Sequence, residues 1–189
     1  MDERTGVNQG RKSLGIGLNN GIALRMSENW RHAVHAKIED ALHEFGVDPD
    51  QVTIELTETA AMQVADSFEN LAHIRALGVH LALDDFGTGY SSLAFLRELP
   101  VDSIKIDRSF VTGLGSNSRD TSIVQGVIAM GAALGYDVVA EGVETTAQAQ
   151  ILRDLGCRYA QGFLWSRAVP STDLAAVAER IEREAGTGV

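Results

Sequence analysis

Six short apolar runs each end on a polar group that could do chemistry. They are Asn19 after LGIGL, Glu55 in VTIEL, Asp84 in VHLALD, Lys105 in DSIKID, Glu141 in YDVVAE and Gln161 in CRYAQG, with Asp85 following Asp84 directly. Four carboxylates in one cleft, Glu55, Asp84, Asp85 and Glu141, repel one another unless they are protonated or neutralised by cations. An oxygen-only donor set selects hard ions such as Mg²⁺ or Mn²⁺ over zinc, which prefers His and Cys. Two such ions can orient a phosphodiester, activate water and stabilise the leaving oxygen. Lys105 adds positive charge suited to a phosphate or to the attacking water. Taken singly, an Asp after a strand often caps the next helix and an exposed Glu is merely solvated. Six polar groups at equivalent places in six runs exceed what turn chemistry requires.

The elements that must position these groups alternate along the chain. The six β-rich runs, at 14–19, 52–56, 79–84, 102–107, 136–141 and 157–162, are separated by helical patterns such as NWRHAVHAKIEDALHEFG, FENLAHIRALG and RDTSIVQGVIAMGAALG. A β/α repeat implies a parallel sheet covered by helices. Gly46, Gly78, Gly135 and Gly156 each follow a helical pattern, where a left-handed cap is expected. Strand periodicity puts Val52, Ile54, Leu81, Leu83, Ile104, Ile106, Val138 and Ala140 on one face. Thr53, Glu55, Ala82, Asp84, Ser103, Lys105, Asp107, Val139 and Glu141 fall on the other. The polar groups then converge at the carboxyl ends of parallel strands, where barrel enzymes build their active sites.

Composition sets the outer bounds. A chain of 189 residues with 44% hydrophobic and 22% charged residues suits one folded domain, with residues 1–13 expected as a flexible N-terminal arm. The net charge of −10 argues against a grip on long nucleic acid, which needs Lys and Arg against phosphates. No apolar run reaches the roughly 20 residues of a spanning helix, so no membrane association is expected and the cytoplasm is the expected location. Cys157 is the single cysteine and reads as buried filler. GRKS at 10–13 does not satisfy a phosphate-binding loop, and the Gly87-Thr88-Gly89 turn has Ser92 in place of a third glycine and two aspartates before it. His32, His35, Glu39 and His43 share a helical stripe that reads as a solvated face.

The ordered set GLN ending at Asn19, ELTET at 55–59, DDFGTGYSSL at 84–93, IKID at 104–107, AEGVET at 140–145 and QGFLWSRAVP at 161–170 resembles the EAL domains. These are bacterial phosphodiesterases that open cyclic di-GMP to linear pGpG. The resemblance implies a TIM-like (β/α) barrel over residues 14–189, here incomplete, with about six of eight strands. It implies two Mg²⁺ or Mn²⁺ ions, with Asn19, Glu55 and Asp84 as ligands of the first and Asp85 as a ligand of the second. Glu141 matches the metal-linked glutamate near the attacking water, and Lys105 the lysine that contacts that water or a metal. Gln161 and Glu144 match residues around the site. Glu58 matches the glutamate anchoring the DDFGTGYSS loop, which in the family also takes part in dimer contacts, so a homodimer or other oligomer is expected. The chain departs from the family in lacking the Glu-Ala-Leu strand whose glutamate is a metal ligand. Glu39-Asp40-Ala41-Leu42 lies in a helical pattern and follows Asn19, where the signature should precede it. A non-catalytic module binding cyclic di-GMP or a protein is the alternative that this departure raises.

Overall fold

Alternating apolar and polar residues can bury one face of a sheet only if something covers that face, and here helices do so. The computed structural model describes residues 15–16, 22–26, 34–64, 68–89 and 92–186. In chain order the elements are β1 (Gly15–Ile16), β2 (Ile22–Met26), α1 (Val34–Phe45), β3 (Val52–Thr57), α2 (Glu58–Val64), α3 (Phe68–Ala76) and β4 (His80–Phe86). They continue with α4 (Leu93–Glu98), β5 (Ser103–Ile106), α5 (Arg108–Thr112), α6 (Ser118–Leu134), β6 (Asp137–Ala140), α7 (Thr146–Asp154), β7 (Tyr159–Ala160) and α8 (Leu174–Gly186). The described strands form one sheet in the order β1-β7-β6-β5-β4-β3-β2, and every neighbouring pair is parallel. This is the expected β/α architecture.

Five of the six expected strands fall where the periodicity puts them, and the amino-terminal region differs. Of the run at 14–19 only Gly15–Ile16 is a described strand, at the sheet edge beside β7. The neighbour of β3 is instead β2, which the sequence reading did not expect; it pairs over five residues, with Arg25 opposite Glu55. IALRM is a weak strand signal on its own, with a charge inside it and Asn19-Asn20-Gly21 just before it. The ladder to β3 supplies what propensity does not. Asn19 lies outside the described residues. Among these residues no ladder joins β1 to β2.

The apolar face carries the core. Ile54, Leu56, Leu81, Leu83, Ile104 and Ile106 are fully buried, joined by Leu71 and Ile74 of α3, Leu96 of α4, Val124 of α6 and Leu152 of α7. The four expected glycine caps all take positive φ, between 60° and 91°. Asp107 lies just past the end of β5, where its carboxylate accepts from the Ser109 N–H and caps α5. Burial alone would raise the Asp107 carboxyl, but hydrogen bonds from Ser109 and Arg108 and the Arg108 charge outweigh it and hold it below the ordinary range. At the other end of the sheet Asp102 accepts from the Leu81 N–H at 2.9 Å and pairs with Arg75 at 2.8 Å, tying the start of β4 to the start of β5.

Replacing Ile104 by Ala in the centre of the sheet should cost about 2–5 kcal/mol of unfolding free energy in urea titration. Asp107→Ala should cost about 1 kcal/mol at neutral pH. Because the folded-state pKa is lowered, the Asp107 contribution is present above the unfolded aspartate value and is lost as pH falls through the folded one. Wild type and variant should therefore converge in acid denaturation curves.

Candidate active site

The centre of the cleft is a lysine. Lys105 projects from β5, and its Nζ donates to Glu55 Oε1 on β3 at 2.6 Å. The same ammonium lies 2.6 Å from Glu141 Oε1, just past β6, and 3.2 Å from Asp84 Oδ1 on β4. The Lys105 side chain is 9% exposed and that of Asp84 is fully buried. Burial alone would push the Lys105 pKa down; hydrogen bonds to Glu141 and Glu55 and the charges of Glu141 and Asp84 outweigh it and hold the ammonium above the usual lysine range. Glu141 is pushed up by burial and by the neighbouring Asp84 and Glu55, against the opposing pull of Lys105. Gln161 Nε2 donates to the same Glu141 oxygen at 2.8 Å, orienting that carboxylate from the end of β7.

Asp84 and Asp85 reach the cleft together through a break in regular pairing. Leu83 pairs with Ile104 and Phe86 with Ile106, so two aspartates stand opposite the single Lys105. Strict alternation would send adjacent side chains to opposite faces. A bulge re-aims one of them, and Asp85 accordingly takes φ 54°, the one positive φ of a non-glycine among the described residues. Asp tolerates this left-handed region better than most residues do. Asp84, Asp85 and Glu141 each bring a carboxylate oxygen to within 4.8 Å of the others. Three converging carboxylates suit a hard divalent cation, so these residues fit Mg²⁺ or Mn²⁺.

Backbone close to the cleft is held by contacts that leave no room for side chains. Glu58 is buried at the start of α2 and accepts from the Gly89 N–H at 3.0 Å, fastening the loop after β4. A Cβ on Gly89 would lie 2.9 Å from the Glu58 carboxyl carbon. Across the site, a Cβ on Gly162 would overlap the backbone of Val143. Val143 donates its N–H to Gln161 O and accepts from Leu164 N–H, so the loop carrying Gln161 is locked to the loop after Glu141.

Of the residues singled out by the sequence, Glu55, Asp84, Lys105, Glu141 and Gln161 meet in one cluster, with Asp85 at its rim. Glu144 is exposed; its backbone N–H donates to Gln148 Oε1 at 2.9 Å. Gln148 is a residue that the sequence reading missed. It is buried, forms a capping box with Thr145 at the start of α7, and donates from Nε2 to Val111 O. The Thr-x-x-Gln spacing at 145–148 was the available signal. Towards the other end of the strands lies a solvent-open pocket of about 280 Å³ lined by Thr53, Ala82, Ser103, Val139 and Tyr159 together with cluster residues.

The EAL domain family model matches residues 8–168. The chain is 40% identical over 158 residues to the cyclic di-GMP phosphodiesterase RocR of Pseudomonas aeruginosa, covering 83% of this chain and 40% of that protein. It resembles the solved structure of the MucR phosphodiesterase of the same organism in complex with c-di-GMP, with a TM-score of 0.78, 41% identity, and coverage of 82% of this chain and 64% of that one. The Klebsiella pneumoniae BlrP1 manganese/cy-diGMP complex aligns at a TM-score of 0.71 with 38% identity, covering 78% and 38% of the two chains. The chain spans only 20% of the full curated MucR sequence.

Glu58→Ala should free the Gly89 N–H: hydrogen exchange at Gly89 should accelerate, with a stability loss of about 1–3 kcal/mol. Gly162→Ala should destabilise through the clash with Val143, measured by urea unfolding.

Proposed function

This chain belongs to the EAL domain family, and on that premise we propose that it is a phosphodiesterase hydrolysing cyclic di-GMP to pGpG with two divalent ions. The observation that carries the reading is the convergence of Glu55, Asp84, Asp85, Lys105 and Glu141 from four neighbouring strands on one end of the sheet. Bound Mg²⁺ or Mn²⁺ supplies Lewis-acid stabilisation of phosphate charge and a lowered water pKa. Glu55 and Asp84 would hold the first ion and Asp85 the second, with Glu141 as the metal-linked glutamate near the attacking water. Lys105 offers an ammonium to the phosphate or to the attacking water. Glu141, oriented by Gln161, would position the water whose oxygen bonds to phosphorus as the bond to the ribose 3′ oxygen breaks, the water's proton ending on that departing oxygen. Glu58 keeps the loop after Asp85 in register with the site, and Glu144 is the further glutamate around the site that the family pattern implies. Asn19 is the remaining ligand candidate for the first ion. The substrate is a compact anion, so its binding does not need the basic surface that long nucleic acid requires.

A homodimer is part of the same proposal. The strands at the two edges of the sheet carry backbone groups that favour pairing or cover, and light scattering on the purified chain would give the mass directly.

Glu141→Gln should lower pGpG production by about 10²–10⁴-fold while leaving metal-dependent nucleotide binding within a few-fold of wild type. Product is followed by chromatography and binding by equilibrium titration on the same sample. Undiminished turnover in the variant would remove Glu141 from the site. Binding by the wild type without product would make the protein a receptor.

A further inference from the structure

The Lys105 ammonium has three N–H donors and three carboxylate neighbours, one from each of three different strand ends. That arrangement is an oxygen cage around a single positive charge, at 2.6, 2.6 and 3.2 Å from the oxygens. The ion pairs Arg75–Asp102, His80–Asp102, Arg97–Glu98, Arg158–Asp137 and Arg180–Glu184 join side chains that are each 29% exposed or more, whereas the three carboxylates around Lys105 are 16% exposed or less. Without a cation, Glu55, Asp84 and Glu141 would face one another in a poorly hydrated cleft, where like charges are costly.

We propose that Lys105 is the resident cation of the metal-free site, and that a divalent ion enters by exchange, competing with the ammonium for Glu55 and Glu141. This rests on the reading above that these carboxylates hold Mg²⁺ or Mn²⁺. The two cations draw on the same oxygens and repel one another at the separations the cleft allows. The lysine therefore has two opposed effects: it lets the sheet ends close before any metal is bound, and it lowers the affinity with which metal is then taken up. A lysine acting only on the phosphate would have neither effect.

The test compares wild type, Lys105→Met and Lys105→Arg after chelator treatment, by thermal unfolding with and without Mn²⁺ and by calorimetric Mn²⁺ titration without nucleotide. Lys105→Met should melt below wild type in chelator, regain the wild-type melting temperature with Mn²⁺, and bind Mn²⁺ about tenfold or more tightly than wild type. Lys105→Arg should behave as wild type in chelator. Recovery of soluble Lys105→Met only when Mn²⁺ is present would also support the exchange. Equal Mn²⁺ affinity in wild type and Lys105→Met, an unchanged melting temperature in chelator, or a Lys105→Met chain unfolded with and without Mn²⁺ would overturn it. Failure of both proteins to bind Mn²⁺ would overturn the metal reading itself and the exchange with it, which separates that failure from the loss of exchange alone.

Discussion

One ammonium group shared by three carboxylates is the constraint around which the strand ends are arranged. Lys105 on β5 meets Glu55 from β3, Asp84 from β4 and Glu141 from the end of β6. Removing these charges from water costs several kcal/mol per ion, and only close mutual contact offsets that. The requirement is severe in direction as well as distance: each carboxylate must arrive from its own strand at the level of the lysine. The parallel ladder provides this, because it fixes β5 between β4 and β6 and brings their carboxyl ends to the same side of the sheet.

The ladder cannot supply two adjacent carboxylates on one face by itself. The bulge at Asp84 and Asp85 does so at a local cost, visible as the positive φ of Asp85. Strained backbone persists only where its surroundings over-determine it. Here Glu58 binds the Gly89 N–H and Phe110 packs within 2.9 Å of where a Cβ on Gly87 would sit, so the chain just after the bulge is held from both sides. The strain and its restraint lie within a few residues of the groups that carry the proposed chemistry.

A second level of support lies one step further from the cleft. Gln148 caps α7, accepts from Glu144 and Thr145 N–H groups, and donates to Val111 O, joining the segment after Glu141 to α5. Tyr136 O–H donates to Leu96 O and Leu99 O, joining the approach to β6 to the end of α4. Each of these side chains satisfies backbone groups that would otherwise lose hydrogen bonds on burial. The position of Glu141 therefore depends on residues that never touch it.

Much of this was legible in the chain alone. Period-two alternation assigned Ile54, Leu83 and Ile104 to the buried face and Glu55, Asp84 and Lys105 to the other, and repeated β/α punctuation implied parallel strands whose ends meet. These are local signals, carried by neighbouring residues, so they survive without knowledge of the fold. What lay beyond them was decided by long-range pairing. β2 forms on the ladder to β3, with Arg25 opposite Glu55, although its own residues signal a strand weakly. Asp107 falls beyond the end of β5 and serves as the cap of α5, its carboxylate accepting from the Ser109 N–H. The bulge that turns Asp85 towards Glu141 exists only through the register of β4 against β5. Residue types and spacing determined which groups the strands could present; only the tertiary structure decided which of them share an oxygen cage, because a charge contact made at 2.6 Å is set by the backbone geometry of strands far apart in sequence.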